Sequence, residues 1–145
     1  MAEITPDQSK HFLTLPNIAH FITLRADGSP HVVPLWYEFA EDRFFVFTKA
    51  TSVKMQNLRR NPQCTLSIAS AIQPYSHVVA SGTAKIENGD VIERAVSIAS
   101  RYEGSPGGAK YIQNVQTRFV IALVMMVPTR MVGWVNSTDQ KSNFV

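Results

Sequence analysis

The chain has 145 residues, of which 45% are hydrophobic and 17% charged, a balance that suits one globular domain with a core of its own. Its single cysteine, Cys64, excludes an intrachain disulfide and a cysteine-based metal cluster. A net charge of +3, without a basic stripe, fits an anionic small molecule better than nucleic acid.

A first helix is expected from Pro6 to Leu15, ending at Pro16. Asn17 to Arg25 reads as a strand, the turn Ala26-Asp27-Gly28-Ser29 reverses the chain, and His31 to Phe39 returns as a second strand. Pro34 inside it argues for an edge or a bulge. Glu41-Asp42 makes another turn before a third strand, Arg43 to Thr48. A short helix then opens at Ser52. Fourth and fifth strands cover Cys64 to Ser70 and His77 to Glu87. After Asn88-Gly89, Asp90 and Glu93 have capping-box spacing. Ile92, Ala95, Val96, Ala99 and Tyr102 follow on one helical face, and Gly104 stands at the C′ position. Gly107 to Thr117 reads as one more short helix. Phe119 to Val127 and Arg130 to Val135 are expected as two final strands. Six or seven strands joined mostly by short turns imply a mainly β fold, an antiparallel barrel with short flanking helices.

The segment FFVFTKATSVKMQNLRRNP, Phe44 to Pro62, carries the clearest chemistry. An apolar strand runs into a small-residue turn, then into a helix with Lys54 in its first turn. Unpaired N–H groups and the helix dipole already make that end positive, so a lysine there does little for stability. The same arrangement seats a phosphate. Ser52 is the expected N-cap. Arg59 and Arg60 lie at the opposite end, where cations are favoured in any case. The histidines His11, His20, His31 and His77 are too dispersed for a local metal motif.

Phe44 to Phe47 and Phe119 to Val127 are apolar without alternation, so their second face needs cover, from a helix or from another subunit. A homodimer is the favoured expectation, with Met125, Met126 and Met131 as filler in the interface. The N-terminal stretch lacks the apolar run of a signal peptide, and the longest apolar run, Phe119 to Val127, is far too short to span a membrane. With one thiol and no disulfide, a cytoplasmic protein is expected.

The first hairpin ITLRADGSPHVVPLWYEF, the strand EDRFFVFT, the segment SVKMQNLRRNP and the strand VVASGTAKIE, in this order and spacing, resemble the split-barrel flavoproteins of the pyridoxamine-phosphate-oxidase-like superfamily. The match is nearest the branch of flavin- and deazaflavin-dependent oxidoreductases. The resemblance implies a single split-barrel domain that dimerises and holds FMN or coenzyme F420 at the subunit interface. It implies that Lys54 binds the cofactor phosphate, with Thr48, Lys49, Ser52 and Val53 as its cradle and Asn57 in the first turns of the helix. Val33, Pro34 and Trp36 match positions beside the ring system. Gln73, His77 and Trp134 match regions that approach the cofactor from the other subunit. Many relatives carry an arginine where this chain has Ser52, so one charge is missing. The histidine and arginine pattern of true pyridoxamine-phosphate oxidases is not evident near Arg130 to Trp134, and vitamin B6 synthesis is not assigned. The expected activity is hydride transfer between the cofactor and a small organic substrate, a reaction in which the cofactor supplies the chemistry and no acid–base dyad is required. A flavin carrier or sensor without turnover and a haem- or tetrapyrrole-binding barrel are the alternatives.

Overall fold

The computed structural model describes residues 2–136. Seven antiparallel strands form one curled sheet, accompanied by four short helices. Helix α1, Pro6–Thr14, starts from a capping box in which Thr5 and Gln8 exchange bonds. The spacing T-x-x-Q is the local signal of this cap. Strands β1, Ala19–Leu24, and β2, Pro30–Leu35, make the first hairpin. Strands β3, Glu38–Ala40, and β4, Arg43–Lys49, make the second.

The strand expected from His31 to Phe39 is therefore two strands, and the break builds the barrel. Across the sheet the order is β2-β1-β5-β6-β7-β4-β3, so β2 and β3 are opposite edges although only Trp36 and Tyr37 separate them. Three Cα steps reach about 10 Å, and the sheet must curl until its edges meet at this seam. Helix α3, Val91–Glu103, supplies what the ladder loses there. The Tyr37 N–H donates to the Tyr102 hydroxyl, and the Arg101 guanidinium donates to the Tyr37 carbonyl. Pro34 lies on the edge strand β2, where its missing N–H costs no ladder bond.

After β4 comes α2, Val53–Arg60, then β5, Gln63–Ala69, and β6, His77–Glu87. Helix α4, Gly107–Gln116, follows α3. The two final strands expected at Phe119 to Val127 and Arg130 to Val135 are one, β7, Ile121–Trp134. Pro128 does not end the strand because it sits at a bulge. Gly82 faces Pro128 while Ser81 faces Arg130, leaving Thr129 as the extra residue. The capping box expected at Asp90 does not form. Asp90 is left-handed at φ 53°, and its side chain bonds no helix N–H, since an N-cap needs extended backbone. Gly104 ends α3 in positive φ as expected.

The barrel interior is mainly apolar, with Phe12, Phe21, Tyr37, Leu66, Ile68 and Met126 almost fully buried. The doubly apolar strands β4 and β7 bury their second face inside the same chain. Ile98 of α3 packs on Phe45, Leu123 and Met125, while Ala95, Ala99, Ile112 and Val115 pack on Ile121. The lack of alternation in these strands thus records helix cover and gives no support to a second subunit. Met126 and Met131 belong to the interior and Met125 lies under α3. None of them is interface filler.

Candidate functional site

The cradle forms where β4 leaves the sheet. Thr48 points inward and is buried, so its hydroxyl lies 3.4 Å from Ser52 Oγ, to which it donates. Ser52 is the N-cap of α2, and its oxygen also accepts the Met55 N–H at 3.3 Å. The Gln56 N–H goes to the Ser52 carbonyl. The N–H groups of Val53 and Lys54 precede the first bond of the helix and have no acceptor among the described residues. With both its acceptor positions used, the Ser52 hydroxyl keeps its proton to donate. Two backbone donors, one hydroxyl donor and the Lys54 side chain therefore belong to the first turn of one helix, a donor set able to seat a phosphate.

Lys54 is partly buried, and burial holds its ammonium below the usual lysine value. Nothing on α2's first turn is acidic, and no carboxylate pairs with Lys54 among the described residues. A desolvated cation without a counter-ion is a site prepared for an anion.

His31 lies within electrostatic reach of this cation. It lies opposite Thr23 on the β1–β2 hairpin, and Thr23 accepts the side-chain amide of Asn57 from α2 at 3.0 Å. The His31 Nδ1 is buried without a hydrogen-bond partner. Its pKa is held low by desolvation and then by the positive charges of Arg25 and Lys54. A histidine between two cations, with an unsatisfied ring nitrogen, is relieved by an anion. Reading the sequence for local motifs missed it, because only the strand pairing brings Arg25, His31 and Lys54 together.

The structure sorts the remaining candidates. Lys49 follows Thr48 and therefore projects from the opposite face of β4, exposed. Val53 is exposed and offers its backbone N–H. The amide of Asn57 is consumed by Thr23 and Arg60, so this residue docks the cradle helix on β1. Arg60 also bonds the Leu24 carbonyl and Arg59 the Ala50 carbonyl, the structural work expected of them. On β2, Val33 packs toward the interior while Pro34 faces outward. Trp36 crosses the seam, stacked on Tyr102 at 4.9 Å, and Tyr37 is the core member of the pair. Its phenol, bonded to the Leu13 carbonyl, is pushed well above the usual value by burial.

His77 and Trp134 come together as cross-strand partners with ring centroids 5.4 Å apart. His77 Nε2 lies 2.9 Å from Ser67 Oγ, and the Trp134 indole donates to the Tyr75 carbonyl. Gln73 is exposed in the loop before them and makes no bond to either ring. This group is remote from the cradle. Ile121 pairs with Lys49 at one end of β7 and Trp134 lies at the other, roughly 40 Å away along an extended strand.

A sequence model described as pyridoxamine 5'-phosphate oxidase matches residues 5–126. The chain belongs to this family. The match runs from α1 to the first half of β7, and so takes in β4 and α2, which build the candidate cradle. No curated protein matches the sequence. Among solved structures, a conserved hypothetical protein of Mycobacterium tuberculosis is similar with a TM-score of 0.77 and 22% identity, over 99% of this chain and 92% of that one. An F420 reductase is similar with a TM-score of 0.68 and 19% identity, over 91% and 98% of the two chains. The haem storage protein of Vibrio cholerae is similar with a TM-score of 0.67 and 15% identity, over 85% and 89%. At these identities the likeness establishes a shared split-barrel fold, one found both in an F420 reductase and in a haem storage protein. No helix among the described residues is long and apolar enough to cross a membrane.

Proposed function

We propose that this protein is an oxidoreductase that uses a flavin or deazaflavin, FMN or coenzyme F420, to transfer a hydride to or from a small organic substrate. The observation that carries the reading is the cradle at the start of α2. Lys54, Ser52 and two free N–H groups lie at one helix end, and the Lys54 charge acts on His31, whose buried Nδ1 lacks a partner among the described residues. This donor set fits the ribityl phosphate that both cofactors share, and the F420 reductase of the same fold lends it support.

When bound, the cofactor supplies the hydride chemistry. Lys54 and His31 hold the phosphate by charge, while Ser52 and the N–H groups of Val53 and Lys54 orient it. Thr48 fixes the Ser52 hydroxyl from below. Trp36 is kept rigid by Tyr102 and borders the seam in which the ring would lie.

The working unit in this reading is a homodimer. The outward faces of β2, β1 and β5, and of β6 as far as Thr83, carry no formally charged residue and no helix covers them. Pairing two such faces would bring His77 and Trp134 of one protomer to the cradle of its partner, which one chain cannot do along β7.

The deciding experiment is an absorbance spectrum of the purified protein, followed by titration with FMN and with F420. Binding of either, with reoxidation only when a substrate is added, supports the reading. Binding without turnover would make the protein a carrier or sensor. A Soret band on adding haem, with neither flavin bound, would overturn the proposal.

A further inference from the structure

Asparagine is a thermolabile residue, and most of all before glycine, whose missing side chain leaves its backbone nitrogen free to attack the amide beside it. The chain has one such pair, Asn88-Gly89; its other asparagines precede isoleucine, leucine, proline, valine, serine and phenylalanine. Asp27-Gly28 is a second pair of related type, able to close the same ring by losing water.

The structure separates the two pairs. The Gly28 N–H donates to the Arg25 carbonyl at 2.9 Å. Asp27 Oδ1 accepts the Ser29 N–H at 2.9 Å and the Ser29 hydroxyl at 2.6 Å. Attacking nitrogen and attacked carboxyl are therefore both held. At Asn88-Gly89 neither group is held. Both residues are exposed. The Gly89 N–H and the Asn88 amide bond no other described residue. Each glycine has open space where a Cβ would stand, so the hydrogen bonds make the difference.

The ends of this segment are fixed. Asn88, Gly89 and Asp90 are the whole link between β6 and α3. Glu87 still pairs with Leu123, and the Asp90 carbonyl already accepts the Arg94 N–H at 3.0 Å. Asp90 enters the helix at φ 53° without a side-chain cap. A change in the length of so short a link is transmitted to α3, whose Ile98 packs on Phe45, Leu123 and Met125.

We propose that Asn88 is a site of spontaneous modification, where the side-chain amide converts to an aspartyl or isoaspartyl link. The Gly89 nitrogen loses its proton to solvent base and attacks Asn88 Cγ. The new C–N bond closes a five-membered succinimide, and the amide nitrogen takes up a proton and leaves as ammonia. Water then adds to one of the two ring carbonyls, and the ring C–N bond at that carbonyl breaks. Opening at the side-chain carbonyl gives aspartate. Opening at the main-chain carbonyl gives isoaspartate, in which the chain runs through Asn88 Cβ and gains one backbone atom. The aspartyl product places a negative charge near the N-terminus of α3, where the helix dipole favours it. The isoaspartyl product lengthens the link and strains the entry into α3.

The test incubates the full chain, folded and in urea, in mildly alkaline buffer. Peptide mass mapping follows the acid, and an isoaspartyl carboxyl methyltransferase marks the isoaspartate. Folding is expected to slow the reaction at position 88 by less than tenfold and isoaspartate formation at position 27 by more than tenfold. Gly89→Ala should slow the reaction at position 88 at least tenfold. That variant should fold, because Gly89 lies outside the left-handed range and has open space around it, and thermal unfolding verifies it. Asn88→Asp reproduces the aspartyl product and should unfold at the wild-type temperature, whereas the isoaspartyl form, separated by ion exchange, should unfold at a lower one. Protection of Asn88 by more than tenfold on folding, or isoaspartate at position 27 as fast as at position 88, would overturn the site. An isoaspartyl form as stable as the wild type would overturn the strain on α3.

Discussion

The side-chain amide of Asn57 donates to the hydroxyl of Thr23 at 3.0 Å, with both residues buried. This bond, with that from Arg60 to the Leu24 carbonyl, sets the cradle helix on β1, and His31 pairs with the same Thr23 on β2. Replacing Thr23 by valine keeps the shape and leaves the Asn57 amide unsatisfied. We expect a loss of about 1–3 kcal/mol in chemical denaturation. Phosphate-dependent ligand binding should weaken as well, because the helix end loses its placement. An unchanged midpoint would show that the bond carries no weight.

Lys54→Ala removes the ammonium and leaves the Ser52 cap intact. Cofactor affinity should fall by about 1–3 kcal/mol, the range of a hydrogen bond to a charged group. Stability should not fall, since a partly buried cation without a counter-ion is removed. Titration of FMN or F420 into the variant decides it, and full affinity would take Lys54 out of the site.

His31 makes the site sensitive to pH. Desolvation, with Arg25 and Lys54 beside it, holds the imidazole below its ordinary value, and Asp27, the nearby acid, is engaged by Ser29. In the free protein a base with a depressed pKa leaves stability intact above about 6.5 and lowers it as the pH falls through the folded value. A bound phosphate reverses the preference and favours the imidazolium. Phosphate affinity should therefore rise on acidification through the histidine range, and His31→Gln should flatten that rise. A pH profile identical in wild type and variant would remove His31 from the cradle.

Gly133 has φ 142°, and a Cβ there would overlap the carbonyl of His77. It lets β7 approach β6 just where His77 and Trp134 pair. Gly133→Ala should cost about 3 kcal/mol or more, at the severe end for single substitutions, and should disturb the Trp134 fluorescence before global unfolding. A neutral result in thermal unfolding would contradict the close approach.

The homodimer can be tested on its proposed face. Thr65 lies half-buried in the middle of β5, bonded to Ser81 at 3.0 Å. Thr65→Arg places a charge on the uncharged face. Sedimentation should show a dimer for the wild type and a monomer for the variant, which should also bind cofactor less tightly. A wild-type monomer would refute the shared site.

Most of the elements, and the candidate cradle at the start of α2, were legible in the chain itself. Alternation, turn residues and caps are local, so the hairpins, α2 with its Ser52 cap and the lysine of its first turn were all readable from neighbours in the chain. Tertiary structure decided everything that depends on residues distant in sequence. The Trp36–Tyr37 break is invisible in propensity, because Tyr102 and Arg101, some 65 residues away, replace its ladder bonds. The apolar second faces of β4 and β7 were legible as needing cover, but only packing showed that α3 and α4 provide it. His31 read as an isolated strand histidine until strand pairing set it beside Thr23, within electrostatic reach of Arg25 and Lys54. Charge and hydrogen bonding act across space at a few ångströms, and a linear sequence records those distances only where the chain itself is the spacer.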